Sequence, residues 1–246
     1  MVQAQRDTQH ATTFGMGRAN YLDTYLSPQN YKGPQLTIMN ETLRRLLRNN
    51  SVTFQTLTTA HVALADNASA RASDIGGGFT YDAGWHYTKD DVLLRGLQLM
   101  IGGQAGGSLG FLYNNRNGNN PAQGYLSAHL SLSGAAIYAF RIKHQRLKLR
   151  YQASMPLVGA MFSPNYGQSY YEIFSRGDYD HNVCMTYPGN ALSFTQLLSA
   201  DIPVRHSTLR VGYLCSLQQA KVNHLKQHHY ARSFMIGYVR ELSIKR

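Results

Sequence analysis

The chain has 246 residues, with 24 Lys and Arg against 13 Asp and Glu, so its formal net charge is +11. Charged residues make up only 15% and apolar residues 43%, with 17 Tyr, 22 Gly and 2 Cys. This composition excludes a disulfide scaffold, a Cys-rich zinc module and a disordered tail, and argues against a coiled coil.

The charge first points to nucleic acid, but its distribution does not. Basic residues gather at Arg44, Arg45 and Arg48, at Arg141, Lys143, Arg146, Lys148 and Arg150, and at Arg205, Lys245 and Arg246. Uncharged stretches separate them, at 97–115 and 117–140. No nucleic-acid partner is expected. At the start, Val2-Gln3-Ala4 resembles the small-residue end of a secretory cleavage site, so residues 1–7 read as a remnant or a periplasmic extension. The rest reads as one domain.

In chain order, strands are expected at 8–22, 34–47, 52–66, 75–88, 92–113, 124–142, 147–162, 191–204, 208–221 and 229–244. Of the first two, 39–47 also fits an amphipathic helix. Residues 97–115 are long enough to span a bilayer as a helix, but Gly102, Gly103, Gly106, Gly107 and Gly110 weaken a helix by about 1 kcal/mol each. Apolar residues there alternate instead: Leu97, Leu99, Ile101, then Leu109 and Phe111. The same period of two runs through Leu126–Leu132, Leu147–Leu157 and Leu209–Leu217. Segments of ten or more residues with one apolar face match tilted membrane-spanning strands. The fold class is all-β, a transmembrane antiparallel β-barrel of about ten strands, with twelve as an alternative.

Connections sort by length. Arg48–Ser51, Lys89–Asp91, Lys143–Arg146 and Arg205–Ser207 read as short; Ser27–Gly33, Asn67–Asp74, Asn114–Gln123, Ser163–Asn190 and Val222–His228 read as long. Strict alternation places periplasmic turns and both termini at one end and extracellular loops at the other. Trp85, Tyr87, Tyr138, Phe140 and Tyr238 then form the lower aromatic girdle.

The inward positions are Asp82, His86, Gln98, Gln104, His129, Arg150, Gln152, Asp201, Arg210 and Gln218, read as a packed polar network or, alternatively, a pore lining. Charges in so narrow a barrel must pair. Arg150 and Arg210 are expected to pair with Asp201 and with Asp82 or Glu41. Ser127, His129, Ser131, Asp82 and His86 offer the residue types of a hydrolase, but same-face serines suit any wet barrel wall. No residue is assigned a catalytic role. His224, His228 and His229 read as a solvated loop cluster, so no metal or cofactor is assigned. Cys184 and Cys215 read as free thiols. The 163–190 loop carries Tyr166, Tyr170, Tyr171, Glu172, Arg176, Tyr179 and His181, the composition of a recognition surface. Folding inward as a plug and extending the flanking strands are equally open.

Asn117-Gly118 is all that resembles the His-x-Ser-Asn-Gly catalytic segment of outer-membrane phospholipase A, and Arg116 stands at the nucleophile position. A broader likeness rests on Leu22–Pro28, Tyr113–Gln123, Met161–Phe174, Asp180–Cys184 and Ser233–Val239. These stretches resemble an uncharacterised outer-membrane β-barrel family, a domain of unknown function from Gram-negative gut anaerobes. The resemblance implies the bacterial outer membrane and a barrel, and transfers no functional residue. The expected role is non-enzymatic: a small porin-like channel, or a recognition or scaffold element. Its partners would be outer-membrane lipids, lipopolysaccharide and a membrane or surface protein reached through the extracellular loops. The alternatives are a lipid hydrolase or protease with a site at the outer rim, and a soluble barrel with its apolar faces turned inward.

Overall fold

Successive side chains on a strand point to opposite faces, and here the two faces differ sharply along nearly every strand. The computed structural model describes residues 6–46, 51–143, 145–204 and 207–244. Arg48, Arg205, Lys245, Arg246 and the Val2-Gln3-Ala4 segment lie outside the described residues. The strands are β1 (Arg6–Asp23), β2 (Ser27–Arg45), β3 (Val52–Asn67), β4 (Ser73–Lys89), β5 (Leu97–Asn114), β6 (Ala122–Ile142), β7 (Gln145–Phe162), β8 (Val183–Thr186), β9 (Ser193–Val204), β10 (Ser207–Val222) and β11 (Leu225–Ile244). One helix, α1 (Tyr170–Arg176), precedes β8. Pairing runs antiparallel from β1 to β7, then β9, β10 and β11, and β11 returns to β1. Ten strands thus close a barrel, and β8 is an extra strand on the end of β7.

The apolar faces point outward. Met16 is 67% exposed and Phe234 74%, and Leu36, Val62, Ile101, Leu126 and Leu130 join them on the outer wall. A soluble chain leaves no such continuous apolar belt in water, whereas a barrel wall facing lipid requires one. The soluble reading needs Arg150 and Arg210 outside; both are buried in the lumen. No described helix is long and apolar enough to cross a membrane; the strands carry the span. Trp85, Tyr87, Tyr138 and Tyr238 are exposed on the wall, and Phe140 stacks on Tyr138 with centroids 5.5 Å apart.

The strict alternation of loop lengths does not hold. At the end that bears α1, the connections are 24–26, 68–72, 115–121, 163–182 and 223–224; at the opposite end they are 46–51, 90–96, 143–144 and 205–206. Pro28, Asn30, Gly33 and Pro34 look like a loop, yet the segment pairs with β1, so β2 begins at Ser27. Asn223 and His224 adopt φ 49° and 61°, the conformation of a two-residue hairpin turn, and β11 begins at Leu225 rather than 229. Conversely, Val92-Leu93-Leu94 looks like a strand. Positive φ at Asp91, Leu93 and Gly96, and a 2.6 Å bond from the Gly96 N–H to Asp91 Oδ1, make it a turn.

The 163–182 segment holds most of the irregular structure. Ser169 caps α1, with its hydroxyl accepting from the Glu172 N–H and the Glu172 carboxylate accepting from the Ser169 N–H. This is a capping box. Gly177 ends the helix at φ 73°, a left-handed cap that favours glycine. Beyond it, β7 pairs with β8 from Gly159 to Phe162 and with β9 from Lys148 to Ser154. Residues 155–158 fall between the two ladders. Pro156, which has no N–H to donate, sits there beside a register shift against Leu130 and Ser131 of β6.

Candidate functional site

Two polar layers cross the lumen, and each joins strands on opposite sides of the barrel. In the lower layer, nearer the 143–144 end, Glu41 on β2 meets Arg150 on β7. Arg150 Nη1 donates to Glu41 Oε2 at 2.8 Å and Nη2 to Oε1 at 2.5 Å. Arg210 on β10 donates to the same carboxylate at 2.8 Å, and to both oxygens of Asp201 at 2.6 and 2.9 Å. Gln55, Gln104 and Gln152 link into this layer at 2.5–3.2 Å. Two guanidinium groups balance two carboxylates, which is what fully buried charge requires. His86 lies in the same region, buried, with neither ring nitrogen hydrogen-bonded.

The upper layer lies under α1. The Tyr125 hydroxyl on β6 donates to Asp23 Oδ2 on β1 at 2.6 Å, spanning the lumen. The Tyr25 N–H donates to the other Asp23 oxygen at 2.9 Å. Tyr170 of α1 donates to Gln123 at 3.0 Å, accepts from the Gly124 N–H at 2.7 Å, and meets Tyr25 edge-on at 5.9 Å. Burial pushes the Tyr170 phenol up from its ordinary range. Helix α1 is thereby tied to β6 and to the 24–26 turn on the opposite wall.

Between the layers is a cavity of about 250 Å³. Met39, Leu57, Leu197 and Leu214 border it, and among its polar lining two clusters contain ionisable groups. One is His229, stacked on Tyr21 at 4.5 Å, near His61, with Nε2 2.9 Å from Gln35 Oε1. The other is Asp82 with His129, Oδ1 to Nε2 at 2.9 Å. Asp82 is on β4 and His129 on β6; between them in register is Gly106 of β5. A Cβ on Gly106 would overlap Asp82 Oδ1, so glycine is what lets the pair reach across the intervening strand. Ser108 and Ser127 bond each other at 2.7 Å, and among the described residues no hydroxyl or thiol bonds His129.

Of the expected inward residues, Gln104, Arg150, Gln152, Asp201 and Arg210 meet in the lower layer, and His86 lies beside it. Asp82 pairs with His129 rather than with an arginine. Gln218 borders the cavity, and Gln98 sits at the lower mouth on Asp90 at 2.5 Å. Glu41, one of two alternatives the sequence offers, is the hub, and Gln55, which the sequence does not single out, bonds it. In the helix-bearing segment Tyr166, Tyr171, Arg176, Tyr179 and His181 are exposed. Arg176 lies over the Tyr171 ring at 5.6 Å, and His181 pairs with Asp180. Tyr170 turns inward and Glu172 belongs to the helix cap. The three loop histidines diverge: His229 faces the lumen, His228 stacks on Tyr230 at 4.3 Å, and His224 is in the turn. Among the described residues no group of three His, Cys, Asp or Glu could hold a metal. Both cysteines are free thiols.

Fold and lumen define an outer-membrane-type β-barrel. The chain shares that fold with the outer-membrane protease OmpT of Escherichia coli at a TM-score of 0.51, over 98% of both chains, with 9% identity. Lower similarity is found to the transport unit of the autotransporter AIDA-I from Escherichia coli (TM-score 0.42, 7% identity, 96% and 91% coverage) and to the β domain of the Bordetella autotransporter BrkA (0.42, 12%, 96% and 99%). No curated protein matches the sequence. Residues 1–246 match the family model of DUF3316, a protein of unknown function, and the chain belongs to that family.

Proposed function

We propose that this protein resides in the outer membrane of a Gram-negative bacterium as a closed barrel with a non-enzymatic role. It acts by recognition or scaffolding at its α1-bearing end rather than by conduction. The supporting observation is that the lumen is crossed twice between opposite walls, by Glu41–Arg150 below and Tyr125–Asp23 above. That end faces outward and presents Tyr166, Tyr171, Arg176 and Tyr179 to a surface protein partner. Aromatic and arginine side chains held on a rigid base are the residue types that anchor interfaces. Lipids and lipopolysaccharide surround the wall.

Single-channel recording in a planar bilayer tests this reading. The wild-type barrel is expected to stay silent; steady open conductance would turn the assignment to a pore. A second reading, hydrolysis, draws on the Asp82–His129 pair. Peptide or phospholipid turnover above background, lost in His129→Ala, would establish it in place of ours.

A further inference from the structure

The outer wall carries one feature that lipid contact alone does not explain. Arg18 on β1 and Arg232 on β11 are register partners, directly opposite each other. Both are exposed and point outward, because their neighbours Ala19 and Ala231 face the lumen. Like charges in facing positions repel, and charge on a lipid-facing wall is unfavourable. Neither arginine has a hydrogen bond or ion pair among the described residues. Their register partners on the other side are Pro34 and Cys215, so no acid faces them.

Position sharpens the point. Two residues toward the barrel centre the facing pair is Met16 and Phe234; two residues toward the α1-bearing end it is Asn20 and Tyr230. The arginines thus mark the border between the apolar belt and the polar end, where headgroups lie. Lys32 on β2 faces Asn20, and Lys221 and Lys226 oppose each other near the end of the β10–β11 hairpin. At the other end of the barrel two basic side chains have carboxylate partners, Arg45 on Asp90 at 2.9 Å and Lys148 on Glu241 at 2.6 Å, and Arg240 lies over the Tyr238 ring at 5.1 Å. In this column Lys32 has an acid in a facing position, Asp66 of β3, whereas Arg18 and Arg232 have none.

We propose that Arg18 and Arg232, with Lys32 beside them, form a binding site for the phosphate groups of lipopolysaccharide. Two guanidinium forks side by side match phosphate oxygens, and the belt below them receives the acyl chains. This rests on the reading above that the α1-bearing end faces outward, because that leaflet supplies the phosphorylated saccharolipid.

The test is lipid binding by the purified, folded barrel in detergent, read by native mass spectrometry. The probes are bisphosphorylated lipid A, dephosphorylated lipid A and phosphatidylglycerol, against wild type, R18Q/R232Q and R232Q alone. Loss of two surface cations is expected to weaken bisphosphorylated lipid A about thirtyfold, with a smaller loss in R232Q and no change for dephosphorylated lipid A. Heat-modifiable gel mobility verifies folding, and R232Q carries the test if the double variant does not fold. Equal lipid A binding by wild type and variants overturns the proposal, as does a loss confined to phosphatidylglycerol. Membrane fractionation separates this from the parent reading: a chain found outside the outer membrane defeats that reading, whereas an outer-membrane barrel with unchanged lipid A binding defeats only this site.

Discussion

Removing the Glu41 carboxylate should strand a buried charge. In Glu41→Ala, Arg210 keeps both bonds to Asp201, at 2.6 and 2.9 Å. Arg150 keeps only Gln152 at 2.6 Å, and its Nε has no partner to begin with. The lower layer passes from neutral to +1, with the excess on a side chain that is 2% exposed. Breaking a buried ion pair on one side costs about 3–5 kcal/mol, a large share of a stability of roughly 5–15 kcal/mol. Urea unfolding in lipid bilayers, followed by fluorescence of the single tryptophan, Trp85, measures it. Glu41→Ala with Arg150→Met removes the orphan along with its partner and should recover most of the loss. A Glu41→Ala loss below about 1 kcal/mol, or a double variant no more stable than the single, refutes the idea that paired charge closes this lumen.

Further outcomes follow from the same geometry. Gly106→Val places a side chain where Asp82 Oδ1 lies; it should part Asp82 from His129 and destabilise the barrel by about 1–3 kcal/mol in the same assay. Tyr125→Phe removes the strut to Asp23 and leaves that buried carboxylate the Tyr25 N–H among its present partners. A loss of about 1–3 kcal/mol is expected, and an unchanged midpoint would show that the upper layer is held by packing instead. Ser169→Ala should weaken the α1 cap by about 1 kcal/mol, visible as faster amide exchange across 170–176. The backbone N–H of Ser169 holds the Glu172 carboxyl below its ordinary range. The cap contribution is therefore full above the titration of an unfolded glutamate and fades as pH falls through the lower folded value. Exchange at pH 3, corrected for intrinsic rates, should show less protection of α1 than at pH 6.

Much of the wall was legible in the chain because lipid and lumen impose opposite demands on alternate residues. Arg150 and Arg210 sit among outward Leu147, Leu149, Leu209 and Val211, so their inward direction follows from parity alone. Glu41 was harder to place, because Met39–Leu47 spaces its apolar residues ambiguously between strand and helix. The Asp82–His129 pair depends on cross-strand register and on a glycine in a third strand, neither of which is written locally. Turns failed for a related reason: two positive-φ residues at Asn223 and His224 make a tight hairpin without glycine, and Ser27–Gly33 has loop composition but two partner strands to pair with. Helix α1 did leave a signal, the Ser169-x-x-Glu172 spacing, masked by the surrounding tyrosines.

The break between β8 and β9 bears on how such a wall yields. Along β7 the hydrogen-bonded ladder lapses over residues 155–158, and the bulge on the β6 side falls beside the same proline. Both edges of one strand are therefore slack at one height, while the β1–β11 ladder runs unbroken from Arg6 to Asp23. Tension applied to the ring would concentrate at this place. The barrel has, in effect, a tear line beside the helix-bearing segment, so a pull on α1 reaches the wall where it gives most readily.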